Sequence, residues 1–173
     1  MSEPKELIIK RLQEEHDKTV AFFRALSAND FQQQVYTTGT HWNVRNLLAH
    51  FVSAERTFAF YGKEIIAGGE GAPEDFVINE FNETQVGKMK EISAAELIQQ
   101  FVSARADTIT LVQSMSDADF TRVGRHPWFG KVPLGDMIKL IYRHTMIHTR
   151  DIKKALETQQ PVPHLDIQPP SSK

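Results

Sequence analysis

His144 and His148 stand four residues apart in LGDMIKLIYRHTMIHTRDIKKAL, the stretch from Leu134 to Leu156. At 100° per residue, Leu134, Met137, Ile138, Ile141, Thr145, Ile152, Ala155 and Leu156 share one stripe of a helix, and both histidines fall on it. Side chains at i and i+4 have Cβ atoms about 6 Å apart, so the two imidazoles can converge on one point, as a single metal ion requires of an H-x-x-x-H pair. The competing reading is a pair of core histidines hydrogen-bonded to carbonyls or buried carboxylates. Cost weighs against it, because two imidazoles in an apolar seam leave polar nitrogens to satisfy while the helix backbone is already paired. A third ligand has to come from another element.

The chain contains no cysteine, which excludes thiolate ligands, cysteine nucleophiles and disulfides, so any metal must sit on histidine or carboxylate. His50 is the natural partner. It lies in WNVRNLLAHFVSAERTFAFYGKEIIAGG, whose spacing predicts a helix from about Asn43 to Ala67, with Val44, Leu48, Phe51 and Phe58 on its apolar face and Gly68 and Gly69 ending it. His50 is on the flank of that face, beside Leu47 and Ala54. Joined to His144 and His148, it would complete three neutral imidazoles around one ion and leave a fourth position open for water or a thiol, as catalytic sites do. Imidazoles suit zinc, nickel, copper or iron, and affinity alone does not select among them. Two carboxylates are weaker candidates for orienting a ligand from behind: Glu15, on the apolar face of the first helix, and Asp151, just past His148. If the helices of His50 and His148 run antiparallel, His41, Trp42, Asp151 and the proline-rich tail border the mouth of the site, with Trp128 at the far end.

These residues need helices to hold them. The first is predicted from about Pro4 to Leu26, with Ile8, Leu12, Thr19, Phe22, Phe23 and Leu26 inward and His16 at the margin. Ser93-Ala94-Ala95-Glu96 has the pattern of a capping box, with Ile92 and Leu97 as its hydrophobic staple, and opens a helix to about Met115. Between them, Gly68 to Ile92 reads as a long crossover loop with no regular element through its first half. The link from Ser116 to Pro133 carries Gly124, His126-Pro127-Trp128-Phe129-Gly130 and Pro133, so it cannot be regular for long. Prolines 161, 163, 169 and 170 rule out helix beyond about Glu157, leaving one domain over residues 1–160 and a tail over 161–173. A shift of 89 residues lays Ser27-Ala-Asn-Asp-Phe31 on Ser116-Asp-Ala-Asp-Phe120, so the two halves look duplicated, with His50 answering to His144.

Composition removes several functions. With 173 residues, 40% hydrophobic and 24% charged, the chain suits one soluble domain, and a formal charge of −2 gives no reason to expect nucleic acid or an anionic membrane as partner. No apolar run reaches the roughly 20 residues of a membrane span or resembles a signal peptide, which points to the cytoplasm. No Ser-His-Asp order, phosphate loop or G-x-G-x-x-G is present.

HWNVRNLLAHF at 41 to 51, followed by RHTMIHTRDI at 143 to 152, resembles the DinB-like superfamily, also called YfiT-like and distinct from the DNA polymerase that shares the name. The resemblance runs from the first helix to the last. It implies an all-α, up-down-down-up four-helix bundle with a long crossover between helices two and three, often as a homodimer. It also implies a divalent metal held by one histidine of helix two and two ligands of helix four, which here are His50, His144 and His148. Its characterised members are metal-dependent transferases and isomerases that use low-molecular-weight thiols, beside presumed hydrolases. Three functions then stand open: a metal-dependent enzyme activating a thiol or water against a small electrophile, a non-catalytic metal or ligand binder with a stress-related role, and a purely structural core. The first leads, because three histidines converge.

Overall fold

Four amphipathic segments become the long helices of a bundle, in the order α1 (Lys5–Arg24), α2 (Val44–Ile66), α3 (Ile78–Lys88), α4 (Ala94–Ser114), α5 (Asp117–Thr121), β1 (Val123–His126), β2 (Gly130–Pro133) and α6 (Leu134–Thr158), where α1, α2, α4 and α6 are the long ones. The computed structural model describes residues 4–164. Local chemistry sets the helix starts. Asn43 Oδ1 accepts the Asn46 amide at 2.8 Å while Asn46 Oδ1 accepts the Asn43 amide at 3.1 Å, a reciprocal cap that fixes where α2 begins, seven residues before His50. At α4 only half of the predicted box forms: Ser93 Oγ accepts the Glu96 amide at 3.2 Å, but the Glu96 carboxylate turns to Gln100 instead.

Named contacts give the helix directions. His50 of α2 meets His144 and His148 of α6, and Gly62, twelve residues on, lies beside Leu134, so these two helices are antiparallel. Arg56 bonds Gln100, and Gly62 lies against Leu111, so α2 and α4 are parallel and the chain between them must cross the length of the bundle. Lys5 reaches the Met115 carbonyl while His16 stacks on Phe101, which makes α1 and α4 antiparallel. Arg11 meets Tyr142 and Lys153 lies over Phe22, which makes α1 and α6 parallel. This is the up-down-down-up bundle with a long crossover.

The core is not continuous. One apolar cluster holds Phe23, Leu47, Leu48, Phe51, Leu97, Phe101 and Ile152, and a second holds Ile8, Leu12, Ile65, Val112, Leu134 and Ile141. Between them, on all four long helices, lies a polar layer in which Arg105 is the organiser. Its Nε and Nη2 donate to Glu55 Oε1, Nη1 donates to the Leu12 carbonyl at 2.9 Å, and Nη2 reaches Thr145 Oγ1 at 3.4 Å, while Thr108 Oγ1 donates to Glu55 Oε2 at 2.8 Å. One buried guanidinium therefore touches α1, α2 and α6 from its seat on α4. Taking such an ion pair out of water is costly unless every donor is met, and here the donors are spread over the elements whose register matters.

The links hold more structure than their composition suggests. The second half of the crossover forms α3, which buries little beyond Val86 and packs on α2, with Phe76 meeting both Tyr61 and Phe81. The 116–133 link forms α5 and then a hairpin in the register Val123 to Pro133 through His126 to Gly130. The crossover is tied to this hairpin at Gly71, which bridges Arg125; its φ of +84° and a Cβ that would fall 2.6 Å from the Arg125 carbonyl oxygen allow only glycine there. The repeated S-x-x-D-F motif builds the same turn twice. Ser27 donates from N and Oγ to Asp30 Oδ2, both at 2.7 Å, and Ser116 does so to Asp119 Oδ2 at 2.8 and 2.7 Å.

After α6 the chain runs back along the segment before α2. Val162 donates to the Val35 carbonyl at 2.8 Å, Thr37 donates to the Val162 carbonyl at 3.1 Å, and the His164 amide reaches Thr38 Oγ1 at 3.2 Å. Pro169 and Pro170 lie outside the described residues. Among the described residues, no helix is long and apolar enough to cross a membrane.

Candidate metal centre

Antiparallel packing of α2 on α6 brings His50, His144 and His148 together in the polar layer. His50 Nε2 lies 2.9 Å from His144 Nε2, which lies 3.1 Å from His148 Nε2, and one potential ligand atom from each residue falls within 4.8 Å of the others. Ligand nitrogens about 2.0–2.1 Å from a tetrahedral ion sit roughly 3.3 Å apart, so the two His144 separations are within a few tenths of an ångström of what one ion needs. All three rings are held neutral. Burial drives His50 and His148 well below the usual 6.5, assisted in both by the charges of His144 and His164. His144 is lowered to about 4, by burial first and then by His126, Arg105 and His164. Neutral imidazoles with facing Nε2 atoms are what metal coordination uses.

The donor set behind the rings points the same way. Tyr36 Oη lies 2.6 Å from His148 Nδ1 and 3.1 Å from Asp151 Oδ2. A phenol has one proton, and an ionised carboxylate can only accept. Tyr36 therefore donates to Asp151 and accepts from His148 Nδ1–H, which leaves the Nε2 lone pair facing the cluster. Burial and the Asp151 charge hold the phenol protonated, far above its ordinary range. Only His148 is oriented in this way; His50 Nδ1 is buried without a hydrogen-bond partner among the described residues.

Of the sequence candidates, Asp151 is brought to the cluster through Tyr36, whereas Glu15 is not; its carboxylate pairs with Lys18 at 3.0 Å. Trp42 is buried with its ring 4.9 Å from that of His50, and it lines the cavity, while His41 is exposed and stays outside. Two residues escaped sequence reasoning. Tyr36 and His164 come from irregular segments, and His164 lies 4.4 Å from the Tyr36 ring and stacks at 5.9 Å on His148. The available signal was the need of an inward imidazole for an acceptor on its second nitrogen.

The three histidines open onto a cavity of about 460 Å³. Its wall is largely apolar, with Phe58, Met137, Ile138 and Ile141, and it runs from Trp42 and His164 at one end to His126, Trp128 and Leu134 at the other. A neutral histidine cluster at the wall of an apolar chamber is suited to presenting one reactive group to a small molecule held away from bulk water.

The fold and cluster define a class, helical bundles with a histidine triad set across two helices. Residues 11–152 match the DinB superfamily, and the chain belongs to that family. No curated protein matches the sequence. Among solved structures, it is similar to the mycothiol-dependent maleylpyruvate isomerase, with a TM-score of 0.71 and 14% identity, covering 87% of this chain and 61% of the isomerase. The chain thus spans about three-fifths of that enzyme's length. It is also similar to YfiT from Bacillus subtilis, described as a probable metal-dependent hydrolase with an unusual four-helix bundle topology, with a TM-score of 0.69, 16% identity, and 90% and 88% of the two chains covered. An uncharacterised protein from Escherichia coli UTI89 matches with a TM-score of 0.71 at 15% identity, over 91% of this chain and 96% of that one. At these identities the likeness concerns the fold.

Proposed function

We propose that this protein is a metal-dependent enzyme in which His50, His144 and His148 hold one divalent ion, zinc, nickel or iron. The observation that carries the reading is the meeting of three neutral imidazole Nε2 atoms, from two helices, at the wall of an apolar cavity. When bound, such an ion supplies Lewis-acid chemistry, bringing the ionisation of a thiol or a water near neutral pH and presenting it as nucleophile to an electrophilic small molecule.

The chain's own residues prepare for this. Tyr36 fixes the His148 tautomer, Asp151 holds the Tyr36 proton, and burial keeps all three rings unprotonated at neutral pH. The apolar wall limits the access of water. With no cysteine in the sequence, a thiol would have to come from a soluble cofactor such as bacillithiol, mycothiol or glutathione. The likeness to a mycothiol-dependent enzyme supports thiol transfer, and the likeness to a probable hydrolase supports water. A homodimer belongs to the same proposal on family grounds, and sedimentation equilibrium gives its mass.

The test has two parts. Elemental analysis of untagged protein should show one divalent ion per chain, and His148→Ala should lose it. Metal-loaded protein is then incubated with a panel of electrophiles, with and without each thiol, and followed by mass spectrometry. Thiol-dependent, chelator-sensitive conjugation supports transfer; thiol-independent cleavage supports hydrolysis. Full metal occupancy in His148→Ala would overturn the ligand assignment, and rates no greater than that variant's across the panel would leave a binding protein instead of an enzyme.

A further inference from the structure

We propose that the end of the cavity formed by the β-hairpin is a subsite for a neutral hydrogen-bond acceptor, a carbonyl-type oxygen on an apolar small molecule, held by the imidazole N–H of His126 with the indole N–H of Trp128 as second donor. As a statement about substrate it rests on the enzyme reading above; as a statement about binding it does not.

His126 ends β1 with its side chain only 7% exposed, its ring stacked 5.4 Å from that of Phe58 on α2. Nδ1 accepts two backbone amides of its own turn, from Trp128 at 3.1 Å and Phe129 at 3.2 Å. A nitrogen that accepts carries no proton, so the neutral ring bears its proton on Nε2. Burial keeps the ring neutral, with its basicity lowered to about 4. Because Nδ1 faces back into the turn, Nε2–H, across the ring, faces away from it. This donor is buried and has no hydrogen-bond partner among the described residues, and Trp128 Nε1–H is in the same condition. Both residues line the cavity.

Two donors without an acceptor define what a ligand must bring. An indole N–H and an Nε2–H imidazole can only donate, so the complementary group is an oxygen lone pair. The surroundings select a neutral one. Arg125 is engaged by Glu74 at 2.5 Å and the Ala72 carbonyl at 3.1 Å, Arg150 by Asp151, and exposed Arg143 lies over the Tyr142 ring. A carboxylate would be desolvated among Phe58, Leu134, Met137 and Ile138, and of the arginines on the cavity wall Arg125 and Arg150 are already paired with carboxylates while Arg143 is exposed to solvent. The subsite is also placed for chemistry, since His126 and His144 line the same cavity. An electrophile anchored by its oxygen at the hairpin would lie along the cavity toward the three histidines.

The probes are acetophenone, α-methylstyrene, in which CH2 replaces the carbonyl oxygen, and benzoate, titrated into the metal-loaded full chain by NMR. Two hydrogen bonds of ordinary strength correspond to about tenfold in affinity. Acetophenone should bind about tenfold more tightly than α-methylstyrene and should shift the His126 Nε2 and Trp128 Nε1–H resonances. His126→Phe, which keeps the stack on Phe58, should abolish the preference, and Trp128→Phe should reduce it. Since His126→Phe also removes the acceptor of two turn amides, the resonance shifts in the unmodified protein and the Trp128→Phe affinities decide the matter if that variant does not fold. Equal affinity for the ketone and the hydrocarbon would overturn the proposal, as would tightest binding of benzoate. So would a preference that survives loss of both donors or a ketone that leaves both resonances unmoved. A ketone preference with no turnover in the electrophile panel would sink the catalytic reading while leaving the subsite, so the two failures are distinguishable.

Discussion

Replacing Tyr36 with Phe tests the site's inner construction, because it removes one oxygen and leaves the ring. That oxygen is fully buried and lies 2.6 Å from His148 Nδ1 and 3.1 Å from Asp151 Oδ2. Without it, His148 Nδ1–H loses its acceptor, and a buried donor left unmet costs about 1–3 kcal/mol. Affinities of metal sites that lose such a supporting partner typically fall 10- to 100-fold, or about 1.4–2.8 kcal/mol, so two independent estimates meet. The fold should survive, since the phenyl ring still packs against both His148 and His164. Competition for zinc against a chromophoric chelator measures the effect, with Tyr36→Phe expected to bind 10- to 100-fold more weakly than the native chain. Asp151→Asn should lose less than tenfold, because an amide oxygen can still accept from Tyr36. An affinity of Tyr36→Phe within twofold of native would refute the assignment of Tyr36 as the group that orients His148.

Arg105→Met alone strands a buried Glu55 carboxylate and should cost about 3–5 kcal/mol in urea denaturation, whereas Arg105→Met with Glu55→Leu should recover most of that loss; a single-variant cost under about 1 kcal/mol would show that the pair is not sealed from water. His126 is held neutral with a basicity of about 4 against 6.5 in the unfolded chain, so the unfolded state binds the extra proton and stability is lost as pH falls between those values, by about 1.4 kcal/mol per pH unit. His126→Phe should flatten the stability curve over that window by one proton, and an unchanged slope would mean the ring is not buried neutral. Gly71→Ala forces a Cβ against the Arg125 backbone at a positive φ, and hydrogen exchange at the Ala72 and Arg125 amides should accelerate; unaltered protection would show that the crossover is not tied to the hairpin there.

The long helices were legible because their information is local. Period, caps and terminal glycines place α1, α2 and α4 within a few residues of their ends, and α6 stops at Thr158, just before the prolines. The reciprocal cap at Asn43 and Asn46 escaped the Ser/Thr-x-x-Glu pattern, although the physical need was the same. Helix α3 was illegible because Val86 is its one buried residue; with no apolar stripe of its own, it is helical through what α2 and the aromatic pair Phe76 and Phe81 offer it. The hairpin strands VGRH and GKVP carry no alternation, and their form follows from pairing with each other and from Gly130 at φ +67°.

The candidate site was half legible for the same reason. His144 and His148 announce themselves by spacing on one helix, but Tyr36, His126 and His164 sit in segments placed by tertiary pairing, where no period assigns a face. A stronger signal was present and crosses three of the helices. Three of the apolar stripes are interrupted at neighbouring heights, by His50, Ser53 and Glu55 on α2, by Arg105 and Thr108 on α4, and by His144, Thr145 and His148 on α6, every one buried or half-buried. A single polar residue in a stripe can escape at a helix margin. Three coincident interruptions cannot all do so, because Ser and Thr can bond their own helix but the buried Glu55, Arg105 and histidines must find partners on other helices, which ties the register of the bundle. Arg105, bonded to residues of all three other long helices, turns that requirement into a fixed alignment of α2 against α6, and the meeting of His50 with His144 and His148 depends on that alignment.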